Sequence, residues 1–117
     1  MIATRPNYHI LPLHAVSKVL FDGKTAVGVN FTSTSTGTSS IAHARKEVVV
    51  AAGGVHSPQI LQVSGVGPKT LIKSLGIKSV VDLPGVGTNM QDHLVLTMVY
   101  NCEFEFDNTP KSPQIPD

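Results

Sequence analysis

The chain has 117 residues, a formal net charge of +1, 41% hydrophobic residues and 15% charged residues. This length allows at most one ordinary domain, and the composition is typical of a folded protein and not of a disordered one. The near-neutral charge offers no general basic field for nucleic acid, no apolar run approaches the roughly 20 residues of a membrane span, and the single cysteine, Cys102, excludes an intrachain disulfide.

The first third of the chain is typical of short strands. Residues 8–13 form a mainly apolar run with an internal proline, which favours an edge strand. Residues 16–21 and 25–32 alternate imperfectly between apolar and polar side chains and flank an Asp-Gly pair, so we expect them to form a β-hairpin. The polar run TSTSTGTSS at 32–40 overlaps the end of this hairpin, and its composition predicts a loop.

A longer apolar strand is expected next, over residues 42–52. Its last six residues, EVVVAA, do not alternate, which is typical of a strand that is buried on both faces of a parallel sheet. The glycine pair at 53–54 would end this strand. The Ser-Pro pair at 57–58 then combines a capping hydroxyl with a proline suited to the first helical position, so a helix is predicted from there to about residue 63.

The second half of the chain predicts shorter elements. A helix is expected over residues 68–75, because a glycine follows it, and a strand over 77–81. Residues 83–87 predict a loop, and 94–106 are apolar and alternating enough for one long or two short strands. The tail at 108–117 contains three prolines in ten residues and is expected to be loose. The fold class that these elements indicate is mixed α/β.

The junction of strand, glycines and helix predicts a candidate binding site. Gly53 and Gly54 allow the backbone to approach a ligand closely, and the start of a helix offers free N–H groups with a partial positive charge. The same pattern also occurs as a tight strand-to-helix turn that binds nothing, and local chemistry does not separate these alternatives. The chain contains no G-x-G-x-x-G dinucleotide fingerprint.

The whole stretch at 53–67, GGVHSPQILQVSGVG, resembles the second signature of the glucose-methanol-choline (GMC) family of flavin oxidoreductases. Small residues come first, then Ser-Pro, two aliphatic residues and Ser-Gly-aliphatic-Gly. The resemblance continues upstream through RPNYHILPLHAVSKVLFDGKTAVGVNF and downstream through LGIKSVVDLPGVGTNMQDH, so it covers nearly all of residues 5–95. Two departures, Gly54 for a larger small residue and Met90 for leucine, change little volume.

This resemblance implies a role in binding FAD. Members of the family hold FAD in a Rossmann-like domain and oxidise small-molecule alcohols by transferring a hydride to the flavin. The resemblance would place Val16 beside the adenine, and Ala52, Gly53 and Gly54 at a strand end facing the dinucleotide. Residues 1–93 would then be part of the FAD-binding domain, and 94–117 the start of a substrate-domain strand followed by a loose proline-rich tail.

No catalytic residue is assigned in this chain. The family's glycine-rich ADP-binding loop and its catalytic histidine correspond to no stretch of it, so the chain resembles an internal fragment that is inactive alone. The adjacent pair Asp92-His93 is not expected to be catalytic, because neighbouring side chains rarely point the same way. His56 is expected to cap the helix or face solvent, with contact to a cofactor phosphate as the alternative. No histidine spacing predicts a metal site, and the oxidant, substrate alcohol and compartment stay open.

Two other interpretations compete with the flavoenzyme. Residues 58–75 also match a helix-hairpin-helix nucleic-acid-binding module, with Gly65-Val66-Gly67 as the hairpin and Lys69 and Lys73 as its basic residues. The near-neutral charge and the strand-rich surroundings argue against that module, and no nucleic-acid partner is expected. The third interpretation is a truncated remnant without function, whose valine-rich strand would lack neighbours and favour aggregation.

Overall fold

A computed structural model of the chain describes residues 5–100. Over that range it contains strands and helices in mixed order, so the predicted α/β class is confirmed. The strands and helices, in chain order, are β1 (His14–Asp22), β2 (Thr25–Ser33), β3 (Ser39–His43), α1 (Gly53–Val63), β4 (Val66–Gly67), α2 (Lys69–Ser74) and β5 (Val81–Asp82).

The predicted hairpin is confirmed as the first two strands of a three-stranded antiparallel sheet with the order β1-β2-β3. The turn between β1 and β2 uses Gly23 at a φ of 56°, a conformation that glycine adopts without steric cost. The polar run at 32–40 is only partly a loop, because the ends of β2 and β3 extend into it. Thr32 pairs with Ser39 across the two strands, and their hydroxyls lie 2.9 Å apart.

The prediction of a buried strand ending at residue 52 is wrong. The strand in this region, β3, ends at His43, and residues 47–51 have no strand partner in the described part of the chain. Val49 is accordingly 77% exposed. A strand is defined by its inter-strand hydrogen bonds, so a run of β-branched residues cannot form one without a neighbour.

The helix after the glycine pair begins earlier than predicted. α1 starts at Gly53 instead of Ser57, and Pro58 therefore lies inside it as the sixth residue. Ser57 does not cap the helix that was predicted to start there. Its hydroxyl accepts a hydrogen bond from the backbone N–H of Ala52 at 3.0 Å and so fixes the entry of the chain into α1.

The second helix agrees with its prediction within a residue at each end. α2 follows Pro68 and is succeeded by Gly76, whose φ of 70° is the left-handed conformation that commonly ends helices. The strand predicted at 77–81 is shorter and later, because only Val81–Asp82 pairs, in parallel, with β4. Gly65 permits this pairing, since a Cβ at Gly65 would collide with the backbone carbonyl oxygen of Lys78.

Two further strand predictions differ from the structure. Residues 8–13 form no strand, and a turn at 12–13 places Leu13 at a φ of 57°. Residues 94–100 form no strand either, and Leu94 is 97% exposed. The remainder of that prediction, 101–106, and the loose tail at 108–117 lie outside the described residues. Apolar alternation alone did not form strands where no pairing partner is present.

The buried core of the described residues is small and lies at the carboxyl end of α1. Val19 of β1, Val66 of β4 and Ile72 of α2 are its buried apolar side chains, and Ile72 is fully buried. Ser64 lies among them and is 8% exposed. None of the helices in the described part of the chain is long and apolar enough to cross a membrane.

Candidate functional site

An apolar cleft lies between β1, the valine-rich segment at residues 48–52 and α1. Val16 and Val19 from β1, Ala52 before α1 and Ile60 within α1 line an open volume of about 240 Å³. A neighbouring open volume of about 410 Å³ shares three of these residues and adds His56 at its rim. The structure therefore brings together two of the sequence-predicted site residues, Val16 and Ala52, although 36 positions separate them in the chain.

A β-bulge at Ser17 decides which side chains of β1 reach this cleft. Val16 pairs with Phe31 and Lys18 with Asn30, so Ser17 is an extra residue in the ladder. Side chains three positions apart in a regular strand point to opposite faces of the sheet. The extra residue restores the phase, and Val16 and Val19 both line the same cleft. Val16 remains 46% exposed.

The other two predicted residues, Gly53 and Gly54, form the amino end of α1. Gly53 adopts a φ of 84°, and a Cβ built at either glycine meets no atom within 4 Å. The first turn of α1 contains no acidic residue, and no side chain caps it. This end of the helix therefore keeps exposed backbone N–H groups beside open space, which suits an anionic or polar ligand group.

Gly54 also lines a second cleft, to which β1 contributes no residue. This open volume of about 450 Å³ is bounded by α1 and by the segment from Gly87 to Gln91. Its lining is rich in amides, including Gln59, Gln62 and Asn89. The structure thus separates Gly54 from Val16 and Ala52, because they line different clefts.

The histidines form no catalytic constellation in the described residues. His56 Nδ1 lies 3.0 Å from Gln59 Oε1, so this side chain pairs along α1 instead of capping it. The carboxylate of Asp92 accepts the backbone N–H of His93 at 2.7 Å, which engages it with the main chain and not with the imidazole. Over residues 5–100, no three His, Cys, Asp or Glu side chains are grouped so that they could hold a metal ion.

The Gly-Val-Gly stretch is part of the core and not a phosphate-binding hairpin. Residues 65–67 are buried, and Gly65 O accepts the N–H of Val80 at 2.7 Å. The start of α2 is occupied as well, because the carboxylate of Asp82 accepts the backbone N–H of Lys69 at 3.0 Å. A negative charge at this position repels a phosphate, so the structure gives no support to the nucleic-acid-binding module.

Sequence reasoning missed the hydrogen-bonding residues at the carboxyl end of α1. Ser64 Oγ accepts the backbone N–H of Val19 at 2.8 Å and donates to Ile60 O at 2.5 Å. Gln62 Nε2 donates to Val86 O at 3.0 Å, and a Cβ at Gly87 would collide with that amide nitrogen. Both polar residues belong to the signature stretch, but their partners are 24 and 45 positions away and carry no local signal.

The profile of the GMC oxidoreductase family matches residues 2–95. Dehydrogenase xptC of Emericella nidulans is 52% identical over 100 residues, which are 86% of this chain and 16% of that protein. A solved FAD-dependent oxidoreductase from Chaetomium thermophilum is 54% identical, with a TM-score of 0.68 over 72% of this chain and 14% of that one. A solved fungal aryl-alcohol oxidase is 36% identical, with a TM-score of 0.74 over 78% of this chain and 15% of that one.

These similarities confirm the fold prediction and show how much of its relatives' length the chain covers. At 54% identity, the similarity to a solved FAD-dependent oxidoreductase agrees with the predicted Rossmann-like class. The chain spans only about a sixth of the length of the curated relatives that it matches.

Proposed function

The chain belongs to the GMC oxidoreductase family, and on that premise we propose that it forms part of an FAD-dependent enzyme that oxidises the CH–OH group of a small-molecule alcohol. The observation that carries this proposal is the convergence of Val16 and Ala52 on one apolar cleft next to the open amino end of α1. The family resemblance assigns these same residues to the flavin cofactor. A nucleic-acid partner is not part of the proposal.

The residues of the cleft fit the adenosine part of FAD. A flat aromatic ring is stabilised by apolar walls, which Val16, Ala52 and Ile60 provide. The adenine edge needs hydrogen-bonding partners, and Val16, in the outer strand β1, would supply them from its backbone. Gly53 and Gly54 leave open space beside the backbone N–H groups of α1, where the polar part of the dinucleotide can approach without meeting a Cβ.

FAD, when bound, supplies the redox chemistry by accepting a hydride from the alcohol carbon. This chain is proposed to contribute binding and orientation of the cofactor, and none of its described residues is assigned to proton transfer. Residues 1–93 are proposed to belong to the FAD-binding domain, and 94–117 to begin the substrate domain. The alcohol is not specified, because no described residue of this chain is assigned to the reacting carbon.

A segment exchange tests this proposal. Residues 5–95 of this chain would replace the matching segment of the fungal aryl-alcohol oxidase, and the product is called the chimera. We expect the purified chimera to retain FAD, measured by the visible absorbance of the flavin, and to oxidise an aryl alcohol. The matched control is the same oxidase with the corresponding segment of the Chaetomium thermophilum enzyme.

The control separates a failed exchange from a failed proposal. If the control enzyme retains FAD and the chimera does not, the segment is not a flavin-binding segment and the proposal is wrong. If both retain FAD and both oxidise the alcohol, the segment carries out the proposed role. Retention of FAD without oxidation would limit the role to cofactor binding.

A further inference from the structure

Ser64 is the residue whose side chain joins the two walls of the Val16–Ala52 cleft. Ser64 is the one polar residue among the described residues that is buried, with 8% of its surface exposed. Its hydroxyl makes two hydrogen bonds, accepting from the N–H of Val19 at 2.8 Å and donating to Ile60 O at 2.5 Å. The hydroxyl therefore both donates and accepts a hydrogen bond within the protein.

The hydrogen bond from Val19 gives a partner to a backbone N–H on the outer edge of the sheet. β1 is an outer strand, so the backbone groups on its outward side have no strand partner in the described residues. Val19 is 4% exposed, and a buried N–H without a partner is costly. Ser64 supplies the partner from another element, and the carboxyl end of α1 is thereby fixed to β1.

Both bonds of Ser64 end at residues that line the cleft. Val19 and Ile60 each contribute a side chain to the volume of about 240 Å³ that Val16 and Ala52 also line. Val19 lies two residues after the bulge at Ser17, which sets the phase of β1 at which Val16 and Val19 line the same cleft. Ile60 lies one helical turn before Ser64, so its position relative to Val19 depends on the serine hydroxyl.

We propose that Ser64 is a positioning residue for the adenosine part of FAD. Its side chain does not contact the ligand. It fixes the distance between β1 and α1 at which Val16 and Ala52 both contact the adenine. This inference rests on the proposed function, because it takes FAD as the occupant of the cleft. It adds a specific consequence: removal of the hydroxyl weakens FAD binding and leaves the binding of FMN, which lacks the adenosine part, unchanged.

The test uses the full-length chimera. Its flavin is removed, and the flavin-free enzyme is titrated with FAD and with FMN. For Ser64→Ala we expect the Kd for FAD to rise about tenfold, the size of effect that the loss of one buried hydrogen bond produces. The Kd for FMN should stay within about twofold, so that the preference for FAD over FMN falls. Ser64→Cys, which keeps the volume but accepts hydrogen bonds poorly, should show the same pattern.

Ser74→Ala is the matched control. Ser74 Oγ also donates to a carbonyl of its own helix, Leu71 O at 2.8 Å, but it is exposed and lies in α2, away from the cleft. This variant should change neither Kd. A parallel loss of FAD and FMN affinity in Ser64→Ala, or no change in either, would overturn the positioning role. Loss of FAD from the unaltered chimera, with the control exchange intact, would instead overturn the proposed function and this inference with it.

Discussion

The two ends of α1 differ in how completely the chain surrounds them. At the carboxyl end, residues 64–67 are buried, Val66 and Gly67 pair with β5, and Ser64 fixes the helix to β1. At the amino end, Gly53 and Gly54 are exposed, no side chain caps the helix, and the valines before it have no strand partner in residues 5–100. One end of the helix is held by contacts within the chain, and the other is exposed and has no side-chain cap.

Within one short stretch of sequence, the residues that stabilise the fold are therefore distinct from those that face open space. The second half of GGVHSPQILQVSGVG builds the core, while its first half faces the open clefts. Substitutions in the second half should therefore act mainly on stability, except at Ser64, whose hydroxyl also joins the walls of the Val16–Ala52 cleft, and those in the first half on flavin binding. The following changes test that division.

The largest effect on stability is expected from Ile72→Ala, because Ile72 is fully buried against the core. Truncation leaves a cavity and should lower the free energy of unfolding by about 3 kcal/mol. Urea unfolding of the chimera, followed by circular dichroism, measures this loss. Leu71→Ala is the control in the same helix, where the side chain is 40% exposed and the cost should be about 1 kcal/mol. Equal losses would show that this core is not a stabilising one.

Gly65→Ala should cost about 2 kcal/mol, because an added Cβ meets Lys78 O and the φ of 91° disfavours any other residue. The parallel pairing of β4 with β5 would be weakened, which amide hydrogen exchange at Val80 and Val81 would report as faster exchange. Gly76→Ala adopts a similar φ of 70° but meets no atom within 4 Å. It should retain slow exchange at those amides, and equally fast exchange in both variants would refute the steric argument.

Gln62→Leu should cost about 1 kcal/mol, since Val86 O loses its hydrogen-bond donor while the side-chain volume stays similar. The change should loosen the segment 87–91 against α1 and leave the Val16–Ala52 cleft unaltered. Amide exchange at Thr88 and Asn89, compared with FAD affinity, measures both. Ser74→Ala, at an exposed position of α2 that lines neither cleft, is the control and should affect neither. If Gln62→Leu changed FAD affinity, the two clefts would be coupled, and the prediction that they are independent would be wrong.

The smallest effect on the isolated chain is expected from Val49→Lys. Val49 is 77% exposed, so a charge there should change the free energy of unfolding of the 117-residue chain by less than about 0.5 kcal/mol. In the chimera the same change should reduce the yield of FAD-loaded enzyme, because a buried strand of a Rossmann-like sheet does not accept a lysine. If Val49→Lys is neutral in both settings, the valine run is not a buried strand of the flavin domain.

Much of the fold followed from local sequence. The β1–β2 hairpin was predicted from alternation and an Asp-Gly turn, and α2 from its proline and glycine boundaries, because these signals act within a few residues. The start of α1 was missed, because Ser57 bonds Ala52 instead of capping a helix of its own. The strands predicted at 8–13 and 94–100 failed because strand formation needs a partner, which propensity does not supply.

The sequence itself determined the family, and it supplied the contacts that are proposed for the candidate site. A pattern such as GGVHSPQILQVSGVG specifies small residues, a proline and a serine at fixed positions, and these were sufficient to predict the GMC family and FAD, with Val16, Ala52, Gly53 and Gly54 as proposed contacts.

Which of those residues meet depends on the tertiary fold. It brought Val16 to Ala52 through a bulge at Ser17, turned Gly54 to a different cleft, and used Ser64 to join β1 to α1. The physical reason is that hydrogen bonds and packing act over distances of a few ångströms in space, whatever the separation along the chain. Val19 and Ser64 are 45 positions apart, and no periodicity or motif in the sequence records that one donates to the other.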